Sequence, residues 1–176
     1  EHHVRIKILK EKGIEYANIT IPFYSGDDFE FISDIEGLVI NYDSDGNRSD
    51  QKLDKKTIYT KKMTKYHSQV RFAFPSVKVG SIIEYKYKST MKSYGGLDDW
   101  NFQEELPVLK SIYWLTILPN YEFSYLFHKS PSMPVEVKSD AQSGRVYFAM
   151  NNVPGLGNEP YMDARKDYLQ RVTFKL

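Results

Sequence analysis

The residues of this chain that could do chemistry are few and scattered. No cysteine occurs among the 176 residues, which excludes a thiolate nucleophile, a cysteine-ligated zinc site and a disulfide scaffold. His2 and His3 are adjacent. On a strand, neighbouring side chains point to opposite faces, so this pair does not chelate one ion and reads as a surface strand end. His67 and His128 stand alone in the sequence and complete no set of three or four ligands. Asp43-Ser44-Asp45-Gly46-Asn47 has the composition of a calcium loop. It lacks the spacing, which puts a glycine sixth and a glutamate twelfth between two helices; with the glycine directly after the second aspartate it reads as a β-turn. Ser, His and Asp are all present without a G-x-S-x-G elbow. Asp98, Asp99, Glu104 and Glu105 lie near Trp100, where paired carboxylates could serve glycoside hydrolysis. The plainer reading is a polar loop around one buried tryptophan.

Binding chemistry is better represented. Lys52, Lys55, Lys56, Lys61, Lys62 and Lys65 are interleaved with Tyr59 and Tyr66, the mixture used by single-strand nucleic-acid binders. Asp50 and Asp54 dilute that cluster, and 24 basic residues against 23 acidic ones give a net charge of +1. No nucleic-acid partner is expected from such a balance; the lysines read as guards of an edge strand. The chain holds 14 Tyr, 10 Phe and 2 Trp, most of which a β-rich core needs. Tyr94 and Trp100 follow the Ile82 strand in a loop and are the candidate ligand-binding residues, for a sugar face or a peptide. No catalytic residue, metal ligand or cofactor site is assigned. No run of 18 apolar residues occurs, so no membrane-spanning helix is expected.

The elements that must position these residues are strands. Val4, Ile6 and Ile8 alternate with Arg5, Lys7 and Leu9, and Ala17, Ile19, Ile21 and Phe23 repeat the pattern after Glu11-Lys12-Gly13; the two runs read as a hairpin. Further alternation occurs at residues 34–42, in Val70, Phe72 and Phe74, in Ile83, Tyr85 and Tyr87, in Tyr121 to Phe127, in Val146, Phe148 and Met150, and in Val172, Phe174 and Leu176. Residues 112–118 are apolar on both faces and read as a central strand covered on both sides. One short helix is expected at most, at residues 163–168. The sum is an all-β fold, a sandwich of antiparallel sheets, in one domain over residues 1–176.

Three blocks carry a resemblance. They are Phe74-Pro75-Ser76-Val77-Lys78-Val79-Gly80-Ser81-Ile82-Ile83-Glu84-Tyr85-Lys86-Tyr87; Trp100-Asn101-Phe102-Gln103-Glu104-Glu105-Leu106-Pro107-Val108; and Asn152-Val153-Pro154 leading to Glu159-Pro160-Tyr161-Met162. In order and spacing the chain resembles the bacterial family called domain of unknown function 3857. That resemblance implies a non-catalytic β-rich domain on the N-terminal side of an exported protein, periplasmic or at the cell surface. A transglutaminase-like or protease-like domain follows it in the same chain and is its expected partner. The alternative is a carbohydrate- or peptide-binding module. The chain opens at Glu1 without an initiator methionine and stops at Leu176 inside an alternating run, so a signal sequence is expected upstream and a domain with a Cys-His-Asp type catalytic set downstream.

Overall fold

The period-two alternation is realised as strands in antiparallel sheets. The computed structural model describes residues 1–92, 97–117, 122–140, 142–157, 159–160 and 162–175. Among them there is no α-helix. Short 3-10 segments lie at Glu11–Ala17, Gly26–Asp28, Lys55–Thr57 and Arg165–Asp167, and the last is what residues 163–168 provide of the expected helix. The chain divides into two compact units, residues 1–93 and 94–176. The boundary falls between Ser93 and Tyr94, beside Tyr94-Gly95-Gly96, which the sequence suggests is a loop inside one domain.

The first unit contains β1 (His2–Lys7), β2 (Asn18–Tyr24), β3 (Glu30–Tyr42), β4 (Arg48–Lys52), β5 (Tyr59–Lys62), β6 (His67–Ala73) and β7 (Ile82–Met91). They form one sheet in the order β1-β7-β3-β4 and a second in the order β2-β6-β5. The expected β1–β2 hairpin is corrected: β1 lies against β7, with His2 opposite Tyr87, and β2 lies against β6. The seven-residue 3-10 segment between them is too long for a tight turn and carries the chain from one sheet to the other. Ile8, Ile19, Ile21, Val39, Leu53, Val70, Phe72, Phe74 and Ile83 form the core. Both sheets supply them, so the sheets face each other across it. At Gly37 an added Cβ would stand 2.6 Å from Phe74 Cζ; the glycine lets that ring press on the opposing sheet.

The second unit contains β8 (Trp100–Asn101), β9 (Val108–Thr116), β10 (Ser124–His128), β11 (Glu136–Asp140), β12 (Arg145–Val153) and β13 (Arg171–Lys175). Its sheets run β11-β12-β9 and β10-β13-β8. Phe102, Leu115, Val146, Phe148, Met150, Val153 and Val172 are its buried centre, ringed by Trp100, Tyr113, Phe127 and Phe174. The expected central strand at residues 112–118 is also corrected. β9 is the end of its sheet among the described residues, and the middle strand is β12, where residues 146–150 are all buried. An apolar residue on each face does not by itself mean cover on each face: Trp114 stays 61% exposed.

Candidate functional site

The first signature block ties three strands together. Ser81 is fully buried; its hydroxyl donates to Asn41 Oδ1 (2.5 Å) and accepts from the Lys78 N–H (2.9 Å). Asn41 Nδ2 in turn donates to the Ser76 carbonyl (3.2 Å). The Gly80 N–H donates to the Ile8 carbonyl (2.7 Å), and the Ile8 N–H donates to the Ser81 carbonyl (2.9 Å). Gly80 sits at φ +93°, in the left-handed region that glycine enters without steric cost. These contacts close a turn, and the Ser81 hydroxyl that joins them is buried.

The second and third blocks lock onto each other. Gln103 is buried; its Nε2 donates to the Pro154 carbonyl (2.9 Å), while its Oε1 accepts from the Gln170 N–H (3.2 Å). The Phe102 N–H donates to the Gln170 carbonyl (2.8 Å) and the Leu156 N–H to the Glu104 carbonyl (2.9 Å). Gly155 fits so closely that a Cβ there would stand 2.4 Å from the Glu105 carbonyl oxygen. Asn152 takes φ +52°, yet the β12–β9 register runs unchanged past it, with Asn151 opposite Lys110 and Val153 opposite Val108.

Of the two candidate ligand-binding residues, Tyr94 lies outside the described residues. Trp100 is half-buried; its indole N–H donates to Ser111 Oγ (3.1 Å) and its ring leans on Tyr113 at 5.3 Å. Its close neighbours are thus the rings and the hydroxyl of the core wall. The nearby carboxylates have separate employment. Asp99 pairs with Lys166 at 2.9 Å. Glu104 keeps an exposed surface, yet burial of its carboxyl lifts its pKa above the ordinary range, against the opposing pull of the Arg165 guanidinium. Arg165 itself donates through Nε to the Leu156 carbonyl (3.0 Å).

Elsewhere the polar residues settle into local structure. His2 stacks on Tyr87 at 4.7 Å while His3 meets Glu84 at 3.0 Å, so the two rings diverge. Asp43 Oδ1 accepts from the Asp45 and Asn47 N–H groups (2.9 and 2.8 Å), closing the β3–β4 turn and, with the Asn47 side-chain amide foremost, depressing the Asp43 pKa. The lysine-rich segment forms β4 and β5, each at the end of its sheet among the described residues and exposed throughout, as guarded edges should be. Among the described residues no three His, Asp or Glu side chains gather as metal ligands do, and no helix is long and apolar enough to cross a membrane.

Three features escaped sequence reasoning. Asn101, Arg171 and His128 stand in register across β8, β13 and β10, and Asn101 Oδ1 and Arg171 Nε are buried without a hydrogen-bond partner. Gln103 is the pin between two loops. Trp114 is the exposed tryptophan, seated edge-on to Tyr147 at 4.7 Å. For the first two no local signal exists. For the third, the lone Lys110 in an otherwise uncharged run was the available sign of an edge.

A family model described as Domain of Unknown Function with solved-structure structure (DUF3857) matches residues 1–156. A crystal structure from Parabacteroides distasonis, described as that of a "putative protease", matches 98% of this chain with a TM-score of 0.76 at 14% identity. This chain covers 35% of that one, so it spans about a third of its length. The likeness is one of fold. No curated protein matches the chain.

Proposed function

The chain belongs to the DUF3857 family, and on that premise we propose that it is a non-catalytic accessory domain, which packs beside or positions a transglutaminase-like or protease-like catalytic domain of the same polypeptide. One observation carries this reading: the signature residues act as fold determinants. Ser81 and Gly80 close a turn, and Gln103, Pro154 and Gly155 lock two loops. A nucleophile with a base in hydrogen-bond reach is the minimum for acyl transfer, and among the described residues of the signature blocks no such pair comes together. The fold neighbour adds support, since a chain described as a "putative protease" contains this fold as about a third of its length.

An inter-domain contact of about 600–1,500 Å² is the size such packing ordinarily takes. The reading extends to compartment: an exported bacterial protein, periplasmic or at the cell surface, with a secretory signal encoded upstream. The purified 176-residue chain is expected to show no amide hydrolysis and no glutamine–amine transfer. Turnover by this chain, abolished by one point substitution within it, would overturn the accessory reading. The parent gene is expected to encode, after this segment, a domain with a cysteine and a later histidine.

A further inference from the structure

The ends of the four sheets are finished differently. β1 carries Arg5 and Lys7, β4 carries Arg48, Asp50 and Lys52, and β11 carries Glu136, Lys138 and Asp140. β5 is four residues long with two lysines, and β10 is five residues long. Short or charged edges resist pairing with another chain. β9 has neither defence. It runs nine residues, contains no proline, and has Lys110 as its one charge. β12 occupies one side of it, and it is the end of its sheet among the described residues. Leu109 on this edge is 81% exposed and Trp114 61%.

The face of that sheet turned away from the core holds an ordered row. Lys138, Tyr147 and Trp114 stand directly opposite one another across β11, β12 and β9. The Lys138 ammonium lies 5.7 Å from the Tyr147 ring centroid, and Trp114 meets Tyr147 at 4.7 Å. The row is cation, ring, ring, and the next place in it, beyond Trp114, belongs to whatever strand pairs with β9.

We propose that this edge pairs antiparallel with β9 of a second copy of the chain, about a two-fold axis normal to the sheet at Ile112. Such an axis keeps both cores on one side of the joined sheet, and the interface is self-complementary, as a two-fold contact requires. In this register Ile112 faces its own copy, Leu109 faces Leu115, Ser111 faces Tyr113, and Trp114 faces Lys110 twice over. Each Lys110 ammonium then completes the row by meeting the indole of the other copy, the geometry of a cation–π pair. Moving the axis to Ser111 or Tyr113 sets Lys110 against Ile112 or Thr116 and leaves both indoles without a cation. The lone charge of the edge is thus the element that selects the register.

The test is the mass of the purified chain by sedimentation velocity over a range of concentrations. The unaltered chain is expected to populate a dimer as concentration rises. Trp114→Lys puts two lysine pairs in opposition and is expected to give a monomer, with far-UV circular dichroism reporting the retained fold. Lys110→Glu touches no packed group and is expected to weaken the dimer about tenfold by removing the cation from the ring. Lys110→Glu combined with Trp114→Lys sets opposite charges face to face and is expected to restore the dimer. A chain that stays monomeric at every concentration overturns the proposal. So does a dimer indifferent to Lys110→Glu, or a double variant that stays monomeric while folded.

Discussion

The two units share an architecture and differ in how they are held. The first is stabilised along its strands. Alternating Ile, Val and Phe residues fill its core, and its exposed sheet face is laced by cross-strand pairs, Lys88 with Asp34 at 2.8 Å and Lys86 with Glu36 at 3.2 Å. The second is stabilised between its loops. Its core gathers several rings on Phe148, and a few buried polar contacts, chiefly those of Gln103, join segments far apart in sequence. A chain can therefore reach one sandwich design by many distributed contacts or by a few concentrated ones. The second route is the more vulnerable to a single change.

Phe148→Ala is expected to have the largest effect. The side chain is fully buried and touches the rings of Tyr113, Tyr125, Phe127 and Phe174, so its removal costs about 3–5 kcal/mol. Both tryptophans, Trp100 and Trp114, lie in the second unit, so the urea midpoint of tryptophan emission reports that unit. Ile83→Ala, in the first unit, removes a fully buried side chain at about 2–5 kcal/mol. An equal shift of the tryptophan midpoint by both variants would mean that the units unfold as one, and the contrast between them would fail.

Two glycine substitutions sharpen the same contrast. Gly155→Ala drives a methyl to 2.4 Å from the Glu105 carbonyl oxygen, which is backbone and cannot turn aside, whereas Gly37→Ala meets the far end of the Phe74 ring at 2.6 Å. Overpacking costs about 1–3 kcal/mol, and Gly155→Ala is expected at the top of that range with Gly37→Ala below it. Thermal melts of the two variants check the order. Ser81→Ala comes next: it strips Asn41 Oδ1 and the Lys78 N–H of a buried partner, at about 1–3 kcal/mol. Equal stability of Ser81→Ala and the parent chain would show that the turn holds without its polar cross-link.

How much of this was legible in the sequence follows the same division. Alternation is local, so the faces of β2, β6, β7 and β12 are visible in the sequence at Ile19, Phe72, Ile83 and Phe148. The lysines of β4 and β5 marked edges correctly, because charge on a strand end is a local property. Pairing is not local. Nothing within residues 4–23 says that β1 should leave β2 for β7, and nothing within residues 112–117 says which side of β9 lacks a neighbour. The candidate site shows the same limit. Trp100 could be found by type, but its hydrogen bond to Ser111 and its contact with Tyr113 depend on where β9 passes. Gln103 had no local mark at all.

The smallest expected effect is electrostatic and belongs to the first unit. Glu84 on β7 loses solvent, which acts to raise its pKa, but hydrogen bonds from Arg5 and His3 outweigh that and hold it below the usual carboxylate value. Arg5 Nε donates at 2.8 Å, with Nη2 on the same oxygen. A carboxyl group with a depressed folded-state pKa contributes stability above its unfolded pKa of about 4.3 and loses it as pH falls through the lower folded value. Arg5 and His3 are themselves largely exposed, so screening keeps the contribution to about 0.5–1 kcal/mol. Glu84→Gln is therefore expected to be less stable than the parent at pH 7 by that amount. The gap should narrow as pH falls through the lowered folded-state value and the parent carboxyl takes up its proton. Urea melts at pH 7 and at a series of lower pH values follow the difference. A gap that stays unchanged across the whole acid series would assign the loss to packing around residue 84 rather than to its charge, and the first unit's cross-strand pairs would then be ornament on a fold held by alternation alone.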